Sequence, residues 1–183
     1  MKLYIFIFTF FIFNIFYSQN SMETDSIKWG KDVKLEWKDF KGAVPFGNIG
    51  NKKAVSSLEI LASGIGFYED SIPVFKIQVY FYKRDSWVVL KTDDILKHEQ
   101  GHFDITEIYA RKLRRIYSEL NKQKVADINI YAETYEDINK ELDIVNKQYD
   151  KEVNFIPENR AIWYKKIADE LEELKDYKLN CIQ

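Results

Sequence analysis

The chain has 183 residues, which is enough for one ordinary domain with its own core. Hydrophobic residues make up 46% of the chain and aromatic residues 16%, so wholesale disorder is excluded. The formal net charge of -2 favours neither nucleic acid nor an anionic membrane surface as a partner.

The N-terminal segment has the layout of a secretory signal peptide. Lys2 precedes an apolar run, residues 3–17, and the small residue Ser18 closes it. This run is shorter than the roughly 20 apolar residues that a membrane span needs. We therefore expect residues 1–18 to be removed on export, which leaves a single periplasmic or extracellular domain at 19–183 without a membrane anchor.

Two segments alternate between apolar and polar side chains, as half-buried strands do. The first covers about residues 54–62 and the second covers residues 74–82. The stretch 64–71, which contains two glycines, predicts a turn between them, and a third apolar run follows at 87–90. These segments predict a small antiparallel sheet. The apolar positions of the first two strands are Leu58, Ile60, Ala62, Phe75, Ile77, Val79 and Phe81.

From Thr92 onward, apolar residues recur every three or four positions, which predicts an amphipathic helix. Thr92 or Asp93 is the expected N-cap, and the pattern continues to Leu120. A second helix is predicted around residues 138–149 and a third near Pro157. The fold class is therefore α+β, with strands first and helices after. The face of the third helix is expected to contain Ile162, Trp163, Ile167, Leu171 and Leu174.

The first of these helices contains an HExxH pattern at residues 98–102. Four residues on a helix correspond to about 40° of rotation, so His98 and His102 project side by side and can share one Zn²⁺. Glu99 lies about 100° from His98, where it can act as the general base for zinc-bound water. Two histidines on an ordinary amphipathic helix are the plainer alternative. However, these are the only histidines in the chain, and chance would rarely place both in one HExxH pattern.

A catalytic zinc usually has three protein ligands and a water, so one ligand must come from elsewhere in the chain. Because there is no third histidine, we expect an acid, ahead of Tyr149 or Cys181. Asp150 is the preferred ligand, since it lies at the end of the second helix, where the chain can return to the site. Glu152 is the alternative.

Two other acids, Asp104 and Glu107, are close to the histidines in sequence. From His102 they lie about 200° and 140° around the helix, so they face away from the metal. We expect them to pair with neighbours such as Arg111 or to support the ligands indirectly.

The segment Leu96–Ile116, with the sequence LKHEQGHFDITEIYARKLRRI, resembles the DUF922 group of predicted secreted bacterial zinc-dependent proteases. The resemblance includes VYFYKRDSWV at Val79–Val88, LEWKDFKGAVP upstream, and YDKE followed by a tryptophan-bearing helix downstream. It covers nearly the whole mature chain. The resemblance implies a zincin-like domain with Zn²⁺ as cofactor, peptidase chemistry and an extracytoplasmic location, without naming a substrate.

This chain departs from the group at one position. Members of that group often continue the Tyr-Asp motif with a Thr-Asn-His-type stretch, whereas this chain has Phe155, which cannot replace a histidine.

One interpretation of the chain is a zinc peptidase that holds an extended peptide or protein substrate along an edge of the sheet. The other is a non-catalytic envelope protein that retains the fold and binds a partner. Glu99 favours the enzyme, because a structural zinc needs no base, and Phe155 favours the binding protein.

Overall fold

The computed structural model describes residues 25–68, 71–155 and 158–179. The predicted signal peptide, residues 1–18, and Cys181 lie outside the described residues. Within the described part of the chain, no helix is both long and apolar enough to cross a membrane.

The described chain is a mixed α+β fold in which the strands precede three helices, as the sequence predicts. The strands are β1 (Ser26–Lys28), β2 (Ala54–Val55), β3 (Leu58–Phe67), β4 (Pro73–Tyr82) and β5 (Trp87–Val88). The helices are α1 (Asp93–Lys122), α2 (Ile128–Phe155) and α3 (Asn159–Glu173), with short 3₁₀ turns at Trp37–Asp39 and Lys175–Tyr177.

The main sheet has the antiparallel order β1-β4-β3, with β4 in the centre. The alternation predicted for β4 is confirmed, because Ile77, Val79 and Phe81 are buried. Helix α1 packs against β3 and β4, and its buried residues Phe103 and Ile105 belong to the same apolar core. The HExxH helix is therefore anchored on the sheet.

The prediction of one sheet containing residues 54–62 as a single strand is wrong. β2 pairs with β5 in a separate two-stranded sheet, and β3 begins only at Leu58. The chain changes sheets at Ser57, whose N–H donates to the Ser86 hydroxyl oxygen at 2.9 Å. The same hydroxyl donates to the Tyr82 carbonyl at 2.7 Å. These bonds of Ser86 accompany the break between the two sheets, and the preceding residue, Ser56, faces α1.

The glycines that predicted a turn lie inside β3 instead. The pairing of β3 with β4 shifts by one residue between Gly64 and Gly66, and the strand continues to Phe67. Gly66 has a φ of +153°, which a side chain would disfavour. A β-bulge can contain such a glycine without ending the strand. The glycines therefore mark a bulge here, and the predicted turn at these positions is wrong. Of the predicted turn, residues 69–70 lie outside the described residues.

The three predicted helices are present with different bounds. The Thr92 hydroxyl caps α1 by accepting a bond from the Ile95 N–H at 3.3 Å. Helix α2 begins ten residues before the predicted stretch, at Ile128. In α3, Trp163 is buried as predicted, whereas Ile162 is 65% exposed. Ile162 lies one position, or about 100°, from Trp163 around the helix, so both cannot face the core.

A buried ion cluster joins α1 to the rest of the fold. The Glu107 carboxylate accepts bonds from Arg111 Nε and from an Arg114 guanidinium nitrogen, each at 2.9 Å. Arg114 also donates to the carbonyl of Ile77 in β4 at 2.9 Å and to that of Tyr177 at 3.0 Å. The predicted pairing of Glu107 with Arg111 is therefore present. It fixes the helix from the side opposite to its histidines.

Glu107→Gln should destabilise the fold strongly, because it leaves two arginines without their buried counter-charge. Removing one partner of a buried ion pair costs about 3–5 kcal/mol of unfolding free energy, which urea denaturation can measure. Glu119→Gln is the matched control on the same helix, since Glu119 pairs with Lys122 at the surface and its loss should change little. Equal stability of the two variants would contradict the account.

Candidate metal centre

The two histidines of α1 face a cleft of about 730 Å³. One wall of the cleft is the segment around β2, including Ala54 and Ser56, and another is the C-terminal half of α2, including Asp150. Arg160, at the start of α3, also lines it. The cleft thus brings together residues from four separate parts of the chain.

Three side-chain atoms converge at the bottom of this cleft. Asp150 Oδ1 is 3.0 Å from His98 Nε2 and 3.1 Å from His102 Nε2. The two imidazole nitrogens are 3.1 Å apart. In a tetrahedral zinc site with bonds of about 2.0–2.1 Å, ligand atoms are about 3.3 Å apart. The triangle therefore fits one small metal ion. Among the described residues, this is the one group of His, Cys and acidic side chains arranged to hold a metal.

Two of the other candidates for the third ligand, Glu152 and Tyr149, point elsewhere. Glu152 accepts a bond from Trp163 Nε1 at 2.8 Å and another from Gln148 at 2.8 Å, so its carboxylate is turned towards α3. The Tyr149 hydroxyl donates to the His98 carbonyl at 3.2 Å. Of the two acids considered, the structure brings Asp150 to the histidines and keeps Glu152 away.

Asp104 lies on the other side of α1, as predicted. It accepts bonds from Trp29 Nε1 at 2.9 Å and from Gln100 at 3.0 Å. Burial raises the pKa of Asp104, although these two bonds lower it. Gln100 also accepts the Leu35 N–H at 2.9 Å, so this pair of residues attaches the N-terminal segment to the helix.

Asn146 fixes the orientation of the His102 ring. The Asn146 side-chain oxygen is 2.8 Å from His102 Nδ1, and a carbonyl oxygen can only accept, so Nδ1 carries the hydrogen. In the neutral ring, Nε2 then carries no hydrogen, and its lone pair points at the Asp150 carboxylate. The lone pair and Asp150 Oδ1 are 3.1 Å apart, so a proton or a metal ion between them would relieve their repulsion.

The pKa values of His102 and Asp150 are shifted in the directions that this geometry implies. Burial opposes the charged form of His102, but the hydrogen bond to Asp150 and the charges of Glu99 and Asp150 outweigh it and raise the pKa of His102. Burial alone would raise the pKa of Asp150, yet hydrogen bonds from His102 and His98 hold it well below its usual range. Asp150 is therefore an anion at neutral pH. A metal ion competes with a proton for His102 Nε2, so metal affinity should fall as the pH drops through the raised pKa of His102.

The His98 ring is held by packing. It stacks on the Tyr149 ring, with the centroids 4.7 Å apart and the planes at 8°. Tyr149 also contacts the His102 ring edge-on, at 4.9 Å between centroids. His98 Nδ1 is buried and has no hydrogen-bond partner among the described residues. One tyrosine thus positions both imidazoles.

Gly101 makes room for that tyrosine. A Cβ atom at position 101 would lie 2.2 Å from the Tyr149 hydroxyl oxygen and 2.8 Å from the ring carbon that bears it. These distances are far inside van der Waals contact. The glycine between the two histidines is therefore what allows α2 to approach α1.

Glu99 is close to the three candidate ligands without belonging to them. It is only 4% exposed, and its Oε2 accepts a bond from the Ser56 hydroxyl at 2.6 Å. The other oxygen, Oε1, has no hydrogen-bond partner among the described residues, and Glu99 lines the cleft. One carboxylate oxygen is thus anchored and the other is available to a molecule in the cleft.

Three residues that support the site were missed by sequence reasoning: Asn146, Tyr149 in its packing role, and Ser56. Asn146 could have been found, because it precedes Asp150 by one helical turn and shares its face. Tyr149 was considered only as a ligand. Ser56 carries no sequence signal, since its contact with Glu99 spans 43 residues.

The chain matches no protein-family model, no curated protein and no solved structure in the comparisons made. The chemistry of the site itself therefore carries the argument for function.

Gly101→Ala should weaken both folding and metal binding, since Tyr149 must move and the neighbouring Asp150 moves with it. Overpacking of this kind costs about 1–3 kcal/mol, measurable by urea denaturation, and zinc titration reports the change in affinity. Gly64→Ala is the control, because its Cβ would meet only a Phe75 ring atom at 4.0 Å. A Gly101→Ala protein with unchanged stability and zinc affinity would contradict the role given to Gly101.

Proposed function

We propose that the mature chain is an exported zinc-dependent peptidase with a zincin-like fold, of the DUF922 type. His98, His102 and Asp150 would hold the zinc, and Glu99 would act as the general base. The observation that carries the proposal is the convergence of three ligand atoms within 3.0–3.1 Å of one another, beside a buried glutamate in an open cleft.

The residues present fit the zinc that such an activity needs. Two neutral imidazoles would leave a divalent charge uncompensated, and the ionised Asp150 supplies the missing anion. When bound, zinc lowers the pKa of a coordinated water and polarises a peptide carbonyl. A site of two histidines and one carboxylate also suits other first-row metals, so elemental analysis of the purified protein identifies the ion.

Glu99 has the position and the neighbours of a proton acceptor. Its Oε1 can take the proton of the attacking water and later deliver it to the leaving amine. The Ser56 hydroxyl holds Oε2 and thereby orients the carboxylate. A structural metal site would have no use for a second carboxylate held in this way, so this arrangement favours an enzyme.

The edge of β2 offers a place for an extended substrate. The Val89 N–H donates to the Lys53 carbonyl at 2.7 Å, so the backbone groups of Lys53 point towards β5. By the alternation of a strand, those of Ala54 point to the opposite edge. Ala54 lines the cleft, so a peptide can add there as a further strand and present its carbonyl to the site.

The second candidate, a non-catalytic envelope binding protein, is favoured by Phe155. This residue ends α2, in the position where relatives often have a histidine, and its side chain lies outside the described residues. The two candidates differ in whether Glu99 matters for turnover, which the experiments below decide.

The mature chain should bind one zinc ion per molecule, measured by elemental analysis. His98→Ala and His102→Ala should each abolish binding, and Asp150→Asn should lower the affinity about 10- to 100-fold or more, because an anionic ligand is lost. Glu152→Gln is the matched control and should bind zinc normally. Stoichiometric zinc in either histidine variant, or equal affinities of the Asp150 and Glu152 variants, would reject these ligands.

Glu99→Gln should retain the fold and the zinc while losing peptide hydrolysis about 10²- to 10⁴-fold, because an amide cannot accept the proton. A mixed peptide library analysed by mass spectrometry provides the substrates. Full activity in this variant would remove Glu99 from the mechanism. If the zinc-loaded parent protein cleaves no peptide, the binding-protein candidate replaces the enzyme.

A further inference from the structure

Arg160 lies in the same cleft as the candidate metal ligands and pairs there with an acid of α1. One guanidinium nitrogen donates to Asp94 Oδ2 at 3.0 Å, and both residues line the cleft. Asp94 precedes His98 by four residues, so it lies on the same face of α1, about 6 Å along the helix axis. The ion pair therefore sets the guanidinium roughly one helical turn from the histidines.

The guanidinium has hydrogen-bonding capacity that the protein does not use. Arginine carries five N–H donors in a planar fork, and among the described residues Asp94 is the one side chain that accepts from Arg160. The Arg160 side chain is 35% exposed and lines the cleft. Such a fork matches the two oxygens of a carboxylate.

The charge of the cleft favours an anionic ligand once a metal is bound. Its lining contains three cationic and four acidic side chains, so a divalent ion makes the total positive. Asp143 is already paired with Lys147 at 2.5 Å. Lys52 and Lys53, just before β2, have no ion pair among the described residues, and they add to the positive field.

We propose that Arg160 determines specificity by binding a carboxylate of the substrate peptide. An extended peptide advances about 3.3 Å per residue, so a group one helical turn from the metal meets a residue roughly two positions from the cleaved bond. The carboxylate comes from the C-terminus of the peptide or from an Asp or Glu side chain. This inference rests on the proposed peptidase function and adds the class of substrate to it.

The test compares matched peptides on the zinc-loaded mature chain. Labelled peptides of about six residues carry Glu or Gln at each position in turn, and each is made with a free and with an amidated C-terminus. We expect the carboxylate form to have a kcat/KM at least about tenfold above its amide counterpart, and Arg160→Gln to remove that preference. If the Glu-to-Gln exchange lowers kcat/KM, the carboxylate is a side chain. If amidation lowers it, the carboxylate is the C-terminus.

Lys165→Gln is the control for the loss of one positive charge on α3, because Lys165 pairs with Asp169 at the surface and lines no part of the cleft. It should retain the preference, and Arg160→Lys should retain part of it. Equal rates for carboxylate and amide peptides, or an unchanged preference in Arg160→Gln, would overturn the proposal.

A second measurement separates this proposal from the peptidase function. Fluorescence anisotropy reports binding of the same labelled peptides to the zinc-loaded Glu99→Gln chain, with and without Arg160→Gln. Tighter binding of carboxylate peptides that depends on Arg160 supports the carboxylate site even if no peptide is hydrolysed. Binding without selectivity overturns the site whatever the hydrolysis assay shows.

Discussion

Helix α2 can reach the HExxH helix because position 101 has no side chain. Tyr149 occupies the space that a Cβ would fill and contacts both imidazole rings. The next residue, Asp150, and the residue one turn earlier, Asn146, are thereby brought to His98 and His102. A single close approach between the two helices thus assembles the candidate ligands and the residues that orient them. On the other side of α1, the buried ion cluster around Glu107 attaches the helix to the sheet. Helix α1 is therefore fixed on the side opposite to the one that α2 contacts.

The two carboxylates of the site have different neighbours and therefore suit different roles. Asp150 faces two imidazoles, which keep its pKa low and leave it an anion suited to a cation. Glu99 faces a serine hydroxyl and has one oxygen without a partner in the described chain. When two acids in one site have such different surroundings, one commonly binds a ligand and the other transfers a proton. The sheet contributes to this difference, because the change of sheets after β2 places Ser56 against α1.

Periodicity in the sequence was sufficient for the elements whose side chains alternate between core and solvent. It predicted β4, α1 and the α+β class, and the four-residue spacing of the histidines predicted their shared face. It failed where a side-chain contact or a bulge interrupts the regular strand pattern. The serine bonding between β2 and β3 divides one predicted strand into two, and a glycine bulge continues a strand through a predicted turn. The neighbours of Glu99 and His102 depend on how distant segments pack, which no local pattern encodes. Charge and chain position predict Asp150 as the third ligand, and the structure places it beside both histidines.

The most direct test of the account is a structure of the zinc-loaded mature chain, with the ion located by anomalous scattering at the zinc edge. The account predicts one ion bonded to Nε2 of His98, Nε2 of His102 and a carboxylate oxygen of Asp150, each at about 2.0–2.2 Å, with Glu99 beside it and unbonded. An ion bound elsewhere, or held by the imidazoles while Asp150 points into solvent, would contradict it.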